Sequence, residues 1–119
     1  MRLLLVEDKV RVGAGIRLGL RQGEFVVDWV RNARAVQDAL QSGSYSVAIL
    51  DLGLPYKHCL GALEALHQRN VPVVFIDGEG LSKAVDLDGL ARRIRAAARR
   101  QVDRAEGGST IFALPFSWR

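Results

Sequence analysis

The chain has 119 residues, of which 49% are hydrophobic and 25% are charged, with a formal net charge of +4. This length and composition fit one globular domain with its own core. The single cysteine excludes an internal disulfide and, since only Met1–Val6 precede the first acid, we expect no signal peptide, no membrane span and a cytoplasmic location. Much of the positive charge falls within Arg92–Arg104, which indicates one basic helix face rather than a general nucleic-acid surface.

Apolar runs and apolar stripes alternate along the first two thirds of the chain. The runs that predict strands are Arg2–Val6, Glu24–Trp29, Tyr45–Leu50 and Val71–Ile76. The segments with apolar residues at helical spacing are Lys9–Gln22, Ala33–Gln41 and Leu60–Leu66. Because the strands and helices alternate with short connections, we expect a parallel sheet with helices on both faces.

Three of the predicted strands are followed directly by acids. The third strand, a continuous apolar run of the kind buried on both faces, ends on Asp51. The first strand ends on Glu7 and Asp8, and the fourth ends on Asp77. Since parallel strands place their carboxyl ends along one edge of the sheet, we expect these four acids to converge there, where open α/β sheets build their sites.

The last third of the chain contains one strongly amphipathic segment, Leu87–Gln101, which predicts a helix with an arginine-rich outer face. We place the domain boundary after it, so that residues 1–101 form the domain and residues 102–119 form a linker and an apolar tail. Two placements are open for the tail residues Ile111–Phe116. They either pack as an edge strand beside the fourth strand or insert into a second subunit.

Several segments resemble a bacterial response-regulator receiver domain of the CheY-like type, as found at the N-terminus of winged-helix transcription regulators. The segments that carry this resemblance are LLLVED at Leu3–Asp8, GIRLGLRQGEFVVDWV at Gly15–Val30, AILDLGLP at Ala48–Pro55 and the region Ser82–Arg100. The resemblance implies a flavodoxin-like, doubly wound α/β fold with strand order 2-1-3-4. The fifth strand of the family would be missing or replaced by the C-terminal tail.

The resemblance also implies a chemistry. Glu7, Asp8 and Asp51 would hold Mg²⁺ with the carbonyl of Gly53, Asp51 would accept a phosphoryl group from a sensor histidine kinase, and Lys83 would be the family's site lysine. Elementary chemistry agrees, because Mg²⁺ prefers carboxylate and carbonyl oxygens. A carboxylate can act as a nucleophile, and the cation would offset the repulsion between it and an incoming phosphoryl group.

The chain departs from the family at four places. Asp77 replaces a Thr or Ser whose hydroxyl would donate to the phosphoryl group, and a carboxylate can only accept and adds like charge. His58 and Cys59 replace an Asp-Gly pair in what we predict to be a plain loop, and Ala84 replaces a proline. Only Gly78–Ser82 separate the fourth strand's acid from the lysine, too few for a parallel crossover of about a dozen residues.

Two functions follow as hypotheses. The first is a stand-alone, degenerate receiver of a two-component system that acts by protein–protein contact, with Mg²⁺-dependent phosphorylation of Asp51. The alternative is a phosphorylation-independent pseudo-receiver or dimerisation module, or the relic of a transcription regulator without its DNA-binding domain. A Mg²⁺-dependent phosphatase is disfavoured because Gly53 stands where a second acid is needed, so we expect no enzyme. We expect a kinase or other signalling protein and a second copy as partners, and no direct DNA binding.

Overall fold

The computed structural model describes residues 1–77, 87–106 and 113–114, with side chains described as far as residue 100. Its strands are β1 (Arg2–Val6), β2 (Val26–Val30), β3 (Val47–Asp51), β4 (Val73–Ile76) and β5 (Ala113–Leu114). Its helices are α1 (Val10–Arg21), α2 (Ala33–Ser42), α3 (Tyr56–Gln68) and α4 (Leu87–Glu106).

The strands form one parallel sheet with the order β2-β1-β3-β4-β5. The predicted order 2-1-3-4 is therefore confirmed, and β1 and β3 lie side by side in the middle with Leu4 paired to Ala48. The two-residue strand β5 extends the sheet at the far edge, where Ala113 pairs with Val73 of β4. The domain division at residue 101 stays a prediction.

Helices cover both faces of the sheet, as predicted, because the central strands bury side chains on both sides. Alternate residues of β1 divide between two hydrophobic cores, with Leu3 and Leu5 in one and Leu4 and Val6 in the other. The first core is closed by residues of α1 and α4, namely Ile16, Leu20, Leu90, Ile94 and Ala97. The second is closed by residues of α2 and α3, namely Val36, Leu40, Ala62, Ala65 and Leu66.

Two predicted boundaries are wrong. The last helix continues to Glu106 instead of ending at Gln101, because residues 102–106 contain no Gly or Pro and Gly107 is the first helix-breaking residue. His58 and Cys59 lie in the first turn of α3 rather than in a loop. Pro55 directly precedes that helix with φ −52°, and a proline at this position removes no hydrogen bond from the helix.

A glycine allows Trp29 of β2 to lie against α1. A Cβ atom built at Gly13 would lie 2.2 Å from the indole Cε2 and Cζ2 atoms. At Gly15, on the same helix, an added Cβ would meet nothing within 4 Å. The indole therefore occupies space that only glycine leaves open at position 13.

This contrast predicts different effects for two matched substitutions. Both Gly13→Ala and Gly15→Ala gain the higher helix propensity of alanine, about 0.8–1.0 kcal/mol. Only Gly13→Ala forces the methyl group into the ring of Trp29, an overpacking cost of about 1–3 kcal/mol. The free energies of unfolding in urea should differ between the variants by about that cost. Equal stability of the two variants would show that the indole does not lie as described.

Candidate metal centre

Three carboxylates converge at the carboxyl ends of two neighbouring strands. Glu7 and Asp8 follow β1, Asp51 ends β3, and one carboxylate oxygen from each lies within 4.8 Å of the others. Glu7 and Asp51 have no exposed surface, and Asp8 is half-buried. Asp77 follows β4 but is exposed and lies outside this group. The predicted convergence of four acids is therefore correct for three of them.

The surroundings satisfy only part of the carboxylate oxygens. Oε2 of Glu7 accepts a hydrogen bond from the backbone N–H of Lys9 at 3.2 Å, and Oδ1 of Asp51 accepts one from Gly53 at 2.9 Å. Oε1 of Glu7 and Oδ1 of Asp8 are buried and accept no hydrogen bond from the described part of the chain. A buried acceptor without a donor is unfavourable, and a cation is the partner that would satisfy both oxygens.

The electrostatics of Glu7 point the same way. Burial above all, and then the neighbouring carboxyl of Asp51, raise its pKa to about 8, against a smaller opposing effect of the Lys9 N–H. Ionised carboxylates this close repel one another, so the metal-free site is electrostatically unfavourable. A divalent cation between the carboxylates would add attractions that outweigh their mutual repulsion.

The donor set fits Mg²⁺. Glu7, Asp8 and Asp51 supply hard carboxylate oxygens from two adjacent strand ends, the ligand type that this ion prefers. Gly53, the fourth predicted ligand residue, lies in the turn after β3, where its N–H orients the Asp51 carboxylate. Lys83 lies outside the described residues, as does Ala84.

His58 and Cys59 lie near the start of α3 and are not part of the acidic group. Nδ1 of His58 accepts the backbone N–H of Ala33 at 3.5 Å, which joins α3 to the start of α2. Burial raises the pKa of the Cys59 thiol, and the charge of Asp51 adds to this. These residues serve the packing of α3 beside the acidic site.

Two residues at the end of β2 contact the acids and were missed by the sequence analysis. The indole of Trp29 donates to the carbonyl oxygen of Glu7, and the guanidinium of Arg31 donates to that of Asp8. The predicted strand order could have pointed to both residues. In the order 2-1-3-4, β2 lies beside β1, so side chains at the carboxyl end of β2 lie next to the acids that follow β1.

This combination of fold and site defines a class. A doubly wound parallel sheet with the order 2-1-3-4, carrying an acidic trio at the carboxyl ends of β1 and β3, is the arrangement of a CheY-like receiver domain.

Comparison with known proteins gives the same class, although no family model matches the chain. The chain is 34% identical over 123 residues to the response regulator protein PmrA of Pseudomonas aeruginosa, an alignment that covers 88% of the chain and 56% of the relative. The chain thus spans about half the length of the curated relatives it matches.

Two solved structures share the fold. A sensor protein from Polaromonas sp. JS666 superposes with a TM-score of 0.72 at 21% identity, over 84% of this chain and 97% of that one. The second is the receiver domain of a sensor histidine kinase from Pseudomonas aeruginosa PAO1, solved with a magnesium ion coordinated in its active-site cleft. It superposes with a TM-score of 0.69 at 19% identity, over 82% of this chain and 96% of that one. The chain belongs to the receiver domains of two-component response regulators. No helix in residues 1–77 and 87–106 is long and apolar enough to cross a membrane.

Proposed function

We propose that this receiver domain is a cytoplasmic signalling module that binds Mg²⁺ through Glu7, Asp8 and Asp51 and acts by contact with other proteins. The observation that carries the proposal is the group of carboxylate oxygens within 4.8 Å, in which buried oxygens of Glu7 and Asp8 accept no hydrogen bond from residues 1–77 and 87–100. The magnesium ion bound in the cleft of a structurally similar receiver domain supports it. The module has no enzymatic activity of its own in this proposal and does not bind DNA directly.

The same site offers a phosphoacceptor, Asp51. Its carboxylate oxygen would form the bond to phosphorus while the bond from phosphorus to the leaving atom of a sensor histidine kinase breaks. When bound, Mg²⁺ supplies the positive charge that this transfer needs. The N–H of Gly53 holds Oδ1 of Asp51 in place. The Gly53 carbonyl as a further metal ligand and Lys83 as the site lysine complete this proposal.

Asp77 sets the expected efficiency of phosphorylation. It stands where the family has a hydroxyl that donates to the phosphoryl group, and an ionised carboxylate only accepts and adds negative charge. We therefore propose that Asp77 lowers the yield or lifetime of a phosphorylated Asp51. Substitution of Asp77 by threonine should raise the amount of adduct.

The test follows Mg²⁺ binding by NMR titration and then adds acetyl phosphate, with intact mass as the readout for the phosphoryl adduct. We expect an adduct of one phosphoryl group on the wild type, more on Asp77→Thr, and none on Asp51→Asn. Asp38→Asn, which removes an exposed acid of α2, is the matched control and should behave as the wild type. Metal binding without an adduct in any variant would favour a phosphorylation-independent module. No metal binding would overturn the proposal.

The alternative, a phosphorylation-independent dimerisation module, is favoured by two observations. Asp51 has no exposed surface, so a donor's phosphorus reaches it only after local movement. In addition, Leu52, Tyr56 and Leu60, here called the α3 surface, are 56%, 79% and 42% exposed. Large apolar side chains exposed within one short segment are candidates for an interaction surface.

A second copy of the chain is the partner that fits the α3 surface. Lys57 and Glu64 are both exposed and lie equally far along α3 from the Leu60–Gly61 midpoint. A two-fold axis at the Leu60–Gly61 midpoint would therefore place Lys57 of one copy beside Glu64 of the other, twice over. The charges are self-complementary for an antiparallel pair of α3 helices.

Sedimentation velocity tests this dimer. Leu60→Glu should shift the protein toward monomer, whereas Leu18→Glu, at a 64% exposed leucine of α1, should not. Lys57→Glu should weaken the dimer by placing like charges together, and the double variant Lys57→Glu/Glu64→Lys should restore it. A dimer unaffected by Leu60→Glu, or a monomeric wild type, would contradict the α3 interface.

A further inference from the structure

The loop between β1 and α1 carries Glu7 and Asp8, and residues 29–31 at the end of β2 hold it in place. The indole Nε1–H of Trp29 donates to the carbonyl oxygen of Glu7 at 2.9 Å. Nη2 of Arg31 donates to the carbonyl oxygen of Asp8 at 2.7 Å. The backbone N–H of Glu7 donates to the carbonyl of Val30 at 3.0 Å. Three consecutive residues at the end of β2 thus fix the main chain of both acids.

The position of Trp29 is itself fixed by packing. Its half-buried ring lies against Gly13 of α1, where no side chain intervenes, and the guanidinium of Arg17 lies 5.7 Å from the ring centroid. Since the ring is held between α1 and the sheet, its N–H points at the Glu7 carbonyl without further loss of side-chain freedom on metal binding.

We infer that Trp29 and Arg31 are positioning residues for the divalent cation: they hold the Glu7–Asp8 main chain so that its carboxylates stay beside Asp51. This inference rests on the proposed metal site. Carboxylates within 4.8 Å repel one another, and a loop free to relax would separate them. Each ligand that must be gathered again on binding lowers the affinity, which is why groups that orient metal ligands affect metal binding.

A substitution of Arg31 separates two effects on cation affinity, the positioning of the Asp8 main chain and the charge of the guanidinium. Removal of a cation near the site makes the local potential more negative, and on electrostatic grounds alone it would strengthen the binding of a divalent cation. Loss of the hydrogen bond to the Asp8 carbonyl acts in the opposite direction. The two roles of Arg31 therefore predict opposite signs for the change in affinity.

The experiment measures Mn²⁺ affinity by electron paramagnetic resonance of the free ion, at fixed pH and ionic strength. Trp29→Phe keeps a ring against Gly13 and removes the N–H donor, and Arg31→Met keeps the stem and removes the guanidinium. We expect binding to weaken by about 10-fold for each variant, the lower end of the loss seen when groups that orient metal ligands are removed. Arg34→Met, which removes a charge from the first turn of α2 without contact to the loop, is the control and should bind as well as the wild type or slightly better.

Urea unfolding in EDTA accompanies each titration, so that loss of affinity is read only in folded protein. Weaker binding by Arg31→Met at unchanged stability supports the inference, because a charge effect would strengthen binding. Equal or tighter Mn²⁺ binding by Arg31→Met overturns the inference. Because Arg31 is exposed, this result can be read even where Trp29→Phe fails to fold. A wild type that binds no Mn²⁺ overturns both the proposed function and the inference, whereas wild-type binding with unaffected variants overturns the inference alone.

Discussion

Glu7→Gln is expected to stabilise the metal-free protein, by an amount that grows with pH. The pKa of Glu7 is raised to about 8 in the folded state by burial and by the nearby Asp51. In the unfolded chain a glutamate titrates near about 4.3. Between these values the folded state binds a proton that the unfolded state has lost, so the free energy of unfolding falls as pH rises. Glutamine removes this loss because it carries no charge at any pH.

The magnitude follows from the same linkage. With a pKa of about 8 in the folded state and about 4.3 in the unfolded chain, Glu7→Gln should raise the free energy of unfolding by up to about 5 kcal/mol over the wild type at about pH 9 in EDTA, and by little at about pH 4. Urea unfolding across this range is the measurement. Glu24→Gln, at an exposed acid before β2, is the matched control and should change stability by less than about 0.5 kcal/mol. A gain independent of pH would show that the folded-state pKa of Glu7 is not raised.

Divalent cations should reduce this difference in stability. Binding to the folded state alone stabilises it by about 2.7 kcal/mol at a free concentration 100 times the dissociation constant. The wild type should therefore gain stability in Mg²⁺ or Mn²⁺, while Glu7→Gln and Asp51→Asn lose most of the gain with their ligands. The gain should increase with pH, because the cation displaces the proton of Glu7.

Thermal and urea unfolding at matched ionic strength separate this effect from screening. Sodium chloride of equal ionic strength is the control for the cation, and Asp38→Asn is the control for the removal of an acid. Equal stabilisation of the wild type and the Asp51→Asn variant would mean that the cations act on the surface rather than at the acidic site. That outcome would also contradict the proposed function.

Much of the fold could be read from local sequence. Strands buried on both faces are continuous apolar runs, so segments such as Leu3–Val6 and Val47–Leu50 are recognised without knowledge of their neighbours. The acids that follow these strands can be identified as well, because each comes directly after an apolar run. The ends of helices were predicted less well, since α3 begins at Tyr56 and α4 continues to Glu106. These boundaries depend on weak differences between turn and helix conformations.

The sequence by itself determined the alternating α/β order, the two hydrophobic faces of the sheet and the acids available at the strand ends. Only the tertiary structure decided which of these acids meet. Glu7, Asp8 and Asp51 do so because β1 and β3 are adjacent, whereas Asp77 is exposed outside the group. The support of the site by Trp29 likewise depends on a contact between residues 22 positions apart. Local patterns report burial and backbone preference, but the distance between side chains from different strands is set by how the strands pack.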